Sequence, residues 1–346
     1  MNRSPDRPIV IRRAGLVTAV GLTAAQSCAA FRAKLTNPTE TKFFARGGEP
    51  ITVHQVPLER PWRGIEKLSK MAAMAIAEAL QGVARSDWNE LPVILCVAEP
   101  ERPGRAAGLD DRLFELIRAQ LGAAFAPTSA VIAQGRVSVA VALALARTML
   151  EQAAAAQVVI AAADSLLTWP TLDHYDRSDR LLTERNTDGF MPGEAAGALL
   201  IGRSTGKAGE LACTGIGFGR ETARIDAGEP LRGDGLTQAV RAALTEAALQ
   251  IQDMDFRITD NSGEQYYFKE TELALSRTLR VRKEEFDIWH PAECTGETGA
   301  ASGIAIVATA HAACAKRYGK GPNILAHMAN DGGQRAALAL QYQVPA

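Results

Sequence analysis

Two long segments that are apolar on nearly all sides constrain the fold of this chain more than any other feature. One is VSVAVALALARTMLEQAAAA at 137–156, and the other lies within TGETGAASGIAIVATAHAACAKR at 295–317. Both lack proline and read as helices. A helix without a polar face is buried on every side. We therefore expect one such helix in each half of the chain, with both lying in a layer between two sheets.

Short apolar runs that are typical of strands alternate with helical patterns along the chain. Strands are predicted at 9–12, 91–99, 128–135, 157–165 and 194–203, then at 211–219, 256–263 and twice within 323–344. Helices are predicted from Thr23 onward and at 66–83, 109–121, 236–249 and 270–279, with a polar loop at 171–189. The alternation predicts an α/β fold with mostly parallel strands, divided into two similar halves at 1–205 and 206–346.

Charge and cysteine usage narrow the classes of function. Lys and Arg number 38 against 39 Asp and Glu, so nothing electrostatic favours nucleic acid or an anionic membrane as a partner. The five cysteines stand singly, without a CxxC pair, and we interpret them as small core residues. No metal-ligand spacing, cofactor motif, signal peptide or membrane-spanning segment is visible. A cytoplasmic location without cofactor or metal is the expectation.

Four glycine-rich segments occur in an order that resembles a known family. The most specific is DGFMPGEAAGALLIGR at 188–203, and the others are AGLVTAVG at 14–21, QVVIAAADS at 157–165 and TGETGAASG at 295–303. Together they resemble the β-ketoacyl synthase branch of the thiolase-like fold over nearly the whole chain. The resemblance implies an αβαβα layered core. It also implies a homodimer, or a heterodimer with a ketoacyl synthase, and an acyl carrier protein as a further partner.

The resemblance implies a cysteine nucleophile at the start of the first apolar helix, where this chain has none. Between Ile132 and Val139 the polar candidates are Gln134 and Ser138. Glutamine replaces the cysteine in the chain-length-factor partners of polyketide synthases, although a polar residue at a strand end explains Gln134 equally well. Ser138 needs an adjacent base to act as a nucleophile, and an ordinary first-turn helix residue is the simpler interpretation.

The two histidines of the family site are also replaced. The first position falls on Asn261 when Glu272 is aligned with the family's glutamate. An amide cannot act as an acid or base near neutral pH, and a turn residue also explains this asparagine. The second position falls on Glu297, whose carboxylate would repel an enolate unless protonated. The family's lysine aligns with Ala292 and is absent too.

The substrate side of the site is predicted from two further motifs. Phe190 belongs to the DGF segment, and Asp331, Gly332 and Gly333 occupy the family's closing G-F-G-G turn. An aspartate in place of the phenylalanine makes a poor apolar gate for a fatty acyl chain. His290 lies near Glu297 in the sequence and His327 lies near Asp331, so both could approach the same pocket, although lone histidines are usually structural.

Three functions remain open from the sequence. The first is a synthase-like subunit that keeps the fold but has lost condensation, because residues of a cooperating catalytic unit are lost together once one is gone. The second is an acyltransferase or synthase with altered chemistry that uses Ser138, Glu297 or Asp331. The third is an ordinary synthase with Cys294 or Cys96 as nucleophile. The coordinated replacement of the site residues favours the first.

Overall fold

The computed structural model describes residues 8–344. In that range the strands are β1 (Ile9–Val17), β2 (Thr39–Phe44), β3 (Pro50–Val53), β4 (Val93–Val97), β5 (Ala130–Ala133), β6 (Gln157–Ser165), β7 (Glu194–Arg203), β8 (Leu211–Arg220), β9 (Phe256–Thr259), β10 (Ile288–Trp289), β11 (Asn323–Ala329) and β12 (Gln334–Tyr342). The helices are α1 (Ala24–Ala33), α2 (Gly64–Ala79), α3 (Arg112–Leu121), α4 (Ser138–Glu151), α5 (Trp169–Arg177), α6 (Asp234–Glu246), α7 (Gln265–Thr278), α8 (Ala292–Thr295) and α9 (Ser302–Ala315).

Ten strands form one continuous sheet in the order β10-β9-β11-β12-β8-β1-β7-β6-β4-β5, and β2 pairs with β3 in a separate hairpin. The centre of the sheet is the short antiparallel ladder between Ile9–Ile11 of β1 and Leu211–Cys213 of β8. Five strands in equivalent order lie on either side of it. The prediction of two similar halves is therefore confirmed. The division between residues 205 and 206 falls in the turn from β7 to β8 and stays a prediction.

The expectation of mostly parallel strands is wrong. β4 is parallel to β5 and β6, and β9 is parallel to β10 and β11, but all the ladders nearer the centre are antiparallel. The physical reason is clearest at β11 and β12. Only a four-residue turn, 330–333, joins them, and a parallel pairing needs a crossover of a dozen or more residues.

The helices form three layers separated by the two halves of the sheet. α4 and α9 lie in the interior layer, α2 and α3 cover the first half, and α6 and α7 cover the second. Every residue from Ser302 to Ala310 in α9 is buried. A Cβ atom on Gly303 would lie 2.7 Å from the Cβ of Val139, so this glycine allows the two interior helices to approach closely. The αβαβα arrangement is confirmed.

The polar segment at 171–189 contains a helix that the sequence analysis assigned to a loop. α5 covers Trp169–Arg177, with Pro170 in its first turn and the side chain of Thr168 accepting a hydrogen bond from the N–H of Thr171. These are ordinary helix-start signals, masked by the surrounding charges. The predicted cap at Thr23 is confirmed, since its hydroxyl accepts from the N–H of Gln26. No helix within residues 8–344 is long and apolar enough to cross a membrane.

Candidate functional site

The candidate site lies where the two interior helices begin. Gly135 and Gly299 each open a single 3-10 turn that leads into α4 and α9, and these two turns contact each other. Their φ angles are +53° and +56°, in the region that favours glycine. A Cβ atom on Gly135 would also lie 2.1 Å from a carboxylate oxygen of Glu99. The backbone therefore keeps the tight bend that the resemblance implies, although no cysteine stands at it.

A buried arginine occupies the bend at the start of α4. The guanidinium of Arg136 donates from Nη1 to Glu297 (3.0 Å) and from Nη2 to Asp331 (2.9 Å) and to the hydroxyl of Tyr267 (2.7 Å). Its backbone N–H donates to the side-chain oxygen of Asn330 at 2.9 Å. One side chain thus ties together the first turn of α4, the start of α9, α7 and the turn between β11 and β12.

A second arginine joins the first through Asp331. Arg180 donates from Nη1 to this carboxylate at 2.6 Å and holds Glu264 with two further bonds of 2.7 and 2.8 Å. Burial alone would raise the pKa of Asp331, but the guanidinium groups of Arg136 and Arg180 outweigh it and hold that pKa well below its usual range. We call this cluster the arginine network; its members are Arg136, Arg180, Glu264, Tyr267, Glu297 and Asp331.

Two more buried carboxylates adjoin the arginine network. Asp260 lies 3.8 Å from Nε of Arg136, and burial raises the pKa of this aspartate to about 7. Asp164 accepts from the N–H of Ala300 at 2.8 Å and lies 3.2 Å from Nη1 of Arg102. Asp260 is therefore a buried carboxylate whose pKa lies near neutral pH.

The two candidates at the nucleophile position do not form a reactive pair. The side chain of Gln134 is exposed, and its backbone carbonyl accepts from Asn330 at 2.6 Å. Ser138 is buried, and its hydroxyl contacts only the backbone groups of Gln134 and Ile132 within residues 8–344. This serine therefore caps the bend rather than facing a base. Arg136, which lies between the two candidates, points into the site.

The positions of the two family histidines lie in different surroundings. Asn261 is buried, and its amide donates to the hydroxyl of Thr271 at 3.2 Å, without a bond to the arginine network. Its neighbour Ser262 instead donates to Glu297 at 3.0 Å. The other oxygen of Glu297 accepts from the N–H of Gly299 at 2.8 Å. Glu297 is therefore bonded to Arg136, Ser262 and Gly299, while Asn261 is bonded to Thr271 and Thr259.

The predicted substrate-side residues surround the arginine network. The ring of Phe190 is buried and packs edge-on against Tyr175, with centroids 5.0 Å apart. Gly332 and Gly333 form the turn that presents Asp331, and the N–H of Gly333 donates to the carbonyl of Asn330 at 3.1 Å. The structure thus brings Glu297 and Asp331 together through Arg136, with Phe190 beside them.

Neither suggested histidine reaches this cluster. Nδ1 of His290 lies 3.3 Å from the hydroxyl of Thr259. His327 is buried on β11, and burial lowers its pKa to about 3. Neither ring forms a hydrogen bond or ion pair with Glu297 or Asp331 in the part of the chain that the structure describes. The expectation that the histidines share this pocket finds no support in these contacts.

The cysteines do not provide a nucleophile at the site either. All five are buried and free. Cys294 lies in α8, where burial raises its pKa to about 11, and Cys96 lies within β4 with a pKa that burial raises further. A thiol that stays protonated at neutral pH is a poor nucleophile.

Sequence reasoning missed the residues that dominate the site. Arg136 had a usable signal, because it is the one charged residue between Ile132 and Leu145 in an otherwise apolar segment. A lone charge at such a position indicates a buried partner. Arg180, Glu264 and Tyr267 lie in polar or helical segments where nothing distinguishes them from solvated side chains.

The site has an open mouth and a closed interior. A cleft of about 870 Å³ lies outside the arginine network. Its lining includes Arg180, Glu264, Asp331, His174, Arg224 and Tyr266. Among Arg136, Phe190 and Glu297 the free volume is only about 20 Å³, which is close to the space of one water molecule. A ligand can approach the mouth, but an acyl chain has no space beside Arg136.

The fold matches solved ketosynthase structures. The chain aligns with the ishigamide ketosynthase/chain length factor at a TM-score of 0.78 and 16% identity, covering 97% of this chain and 99% of that one. A ketosynthase in complex with a type II polyketide acyl carrier protein gives 0.80 and 14%, covering 97% and 99%. A structure of the ketosynthase ApeO with its chain length factor ApeC from Xenorhabdus doucetiae gives 0.75 and 14%, covering 99% and 100%.

The sequence matches no protein-family model and no curated protein. The chain has the thiolase-like fold of the ketosynthases, and at these identities the likeness shows the fold alone.

Proposed function

We propose that this chain is a non-condensing, chain-length-factor-like subunit that pairs with a complete ketosynthase. One observation carries the proposal: the bend at the start of α4 holds Arg136 in a closed set of ion pairs, where condensation needs a nucleophile. The role of this chain is then to stabilise and shape a partner's site in fatty acid or polyketide-type biosynthesis. Condensation belongs to the partner.

The chemistry of the arginine network supports a non-catalytic role. Condensation needs an activated nucleophile and a group that moves or stabilises charge on the malonyl unit. A guanidinium stays protonated at any physiological pH, so Arg136 neither attacks an acyl group nor accepts a proton. The hydroxyl of Ser138 is held by backbone groups, and Glu297 is bonded to Arg136, Ser262 and Gly299.

An exposed sheet edge supports the partner assignment. β5 ends the sheet and pairs only with β4, so one side of its backbone is unpaired within the described chain. Its residues Val131, Ile132 and Ala133 are half-buried. An unpaired apolar edge is a surface that a second chain covers by strand pairing. We propose that a ketosynthase occupies this edge, and that an acyl carrier protein is a further partner.

The cytoplasm is the proposed location. The five cysteines are buried and free, which suits a reducing compartment.

Acylation tests the absence of condensing chemistry. The protein is incubated with acetyl and decanoyl thioesters of N-acetylcysteamine and examined by intact-protein mass spectrometry, with an active ketosynthase as the positive control. We expect no mass gain on this chain under conditions that acylate the control. A stable adduct on Ser138 or on any cysteine would overturn the proposal and favour an acyltransferase with altered chemistry.

Co-expression tests the partner. We expect a stable 1:1 complex with a complete ketosynthase, measured by analytical ultracentrifugation of the co-purified proteins. Ile132→Asp places a charge on the β5 edge and should abolish the complex. Val281→Asp changes an exposed apolar residue outside that edge and should leave the complex intact. Recovery of only monomer or homodimer of the unmodified chain, across a panel of complete type II ketosynthases, would count against the assignment.

A further inference from the structure

A second cavity lies at the edge of the sheet opposite β5, where β10 is the last strand. Its volume is about 340 Å³, and it shares no lining residue with the cleft outside the arginine network. Its walls come from the end of α1, from β10 and the segment after it, and from α9 and the turn that follows. This volume falls in the range of small-molecule sites. We call it the edge pocket.

Aromatic side chains form the apolar part of the edge pocket. Trp289 packs against Phe256, with ring centroids 4.6 Å apart, and against Tyr318, with centroids 6.3 Å apart and planes within 17° of parallel. Phe31 and Ile288 complete this surface. Because the indole is fixed by both neighbours, its position needs no rearrangement to receive a ligand. Flat aromatic rings are the groups that pack best on such faces.

Two polar groups of the edge pocket lack an ion-pair or hydrogen-bond partner among the described residues. The guanidinium of Arg32 lies over the ring of Tyr318, 4.7 Å from its centroid, and no carboxylate in residues 8–344 lies within 4.0 Å of it. The neighbouring cation, Lys34, is paired with Glu293 at 3.4 Å. The hydroxyl of Tyr318 is buried and has no hydrogen-bond partner among the described residues. One free cation and one unsatisfied hydroxyl therefore border an aromatic surface.

We propose that the edge pocket binds a small aromatic carboxylate, with its ring against Trp289 and its carboxylate at Arg32. Two cations against one carboxylate give the mouth a net positive charge, which favours an anion over an amine. A guanidinium recognises a carboxylate through two parallel hydrogen bonds. A straight-chain fatty acid lacks the flat face that the aromatic lining fits. This site is separate from the proposed subunit role and does not depend on it.

Calorimetric titration with 1-naphthoate tests the edge pocket, and 1-naphthalenemethanol serves as the uncharged analogue of the same shape. Arg32→Gln should weaken naphthoate binding by about tenfold, as expected for the loss of one charge-assisted hydrogen-bonded pair. Glu293→Gln removes the one carboxylate among the described residues that line the pocket and should tighten naphthoate binding by about twofold. Binding of the alcohol should change in neither variant.

A matched surface control completes the experiment. Arg60→Gln removes an exposed arginine that does not line the edge pocket, and it should leave naphthoate binding unchanged. All three substitutions change exposed side chains, so the variants should fold. Equal affinity of the wild type and Arg32→Gln for naphthoate would overturn the proposal. So would the absence of binding heat at millimolar ligand, or tighter binding of decanoate than of naphthoate.

Discussion

Replacing Arg136 by methionine tests whether the arginine network is a structural element that stabilises the fold. The side chain of Arg136 is 7% exposed, and the variant leaves Glu297 without the guanidinium of Arg136 while Asp331 keeps that of Arg180. Methionine preserves most of the side-chain length and the apolar stem. The change therefore isolates the loss of charge and hydrogen bonds from the loss of volume.

The expected cost follows from the burial of the partners. Removing one member of a buried, hydrogen-bonded ion pair costs about 3 to 5 kcal/mol, because the remaining charge stays buried. Unfolding entropy of about 2.1 cal/mol/K per residue gives the whole chain about 0.7 kcal/mol/K, so a loss of about 4 kcal/mol lowers Tm by roughly 5 to 6 °C.

Differential scanning fluorimetry at pH 7.5 measures the effect. Arg118→Met is the matched control, since Arg118 pairs with Glu115 on the surface of α3 and should shift Tm by about 1 °C or less. The double variant Arg136→Met with Glu297→Gln should recover part of the loss, because the stranded charge is gone. An unchanged Tm in Arg136→Met, or strictly additive shifts in the double variant, would refute the reasoning.

Three further predictions concern single residues. Arg180→Gln should release the segment from 178 to 193 from Asp331, and hydrogen-exchange mass spectrometry should show faster exchange there; unchanged exchange would contradict this role. Gly135→Ala should cost about 2 kcal/mol more than Gly64→Ala, because both have φ +53° but only Gly135 lacks space for a Cβ atom; equal Tm shifts would contradict it. Burial lowers the pKa of His327 to about 3, so its contribution to stability is fully present above its ordinary pKa and is lost as pH falls from about 6.5 toward 3. His327→Gln should therefore flatten the decline of stability over that window, measured by chemical unfolding at several pH values; a parallel decline in both proteins would contradict the assignment.

Most helices and strands could be predicted from the sequence because they depend on local patterns of apolar residues. The strand predicted at 157–165 is β6 residue for residue, and the two apolar segments form α4 and α9. The spacing of apolar residues in a helix or strand indicates which of its faces are buried, and this spacing can be read from consecutive positions of the sequence. The antiparallel centre of the sheet was not predicted, because strand direction depends on which elements become neighbours.

The sequence also predicted that the cysteine and two histidines of the resembled family are replaced here, since an absent residue type needs no coordinates, and this stays a prediction. What stands in their place was decided by the tertiary structure. Arg136 meets Glu297 across 161 positions, and Arg180 meets Asp331 across 151. The lone charge of Arg136 indicates that it is buried but does not identify its partners, and Arg180, Glu297 and Asp331 each resemble a solvated surface charge in the sequence. Only the packing of α4 against α9 and the turn after β11 removes these side chains from water, and burial then makes their pairing obligatory.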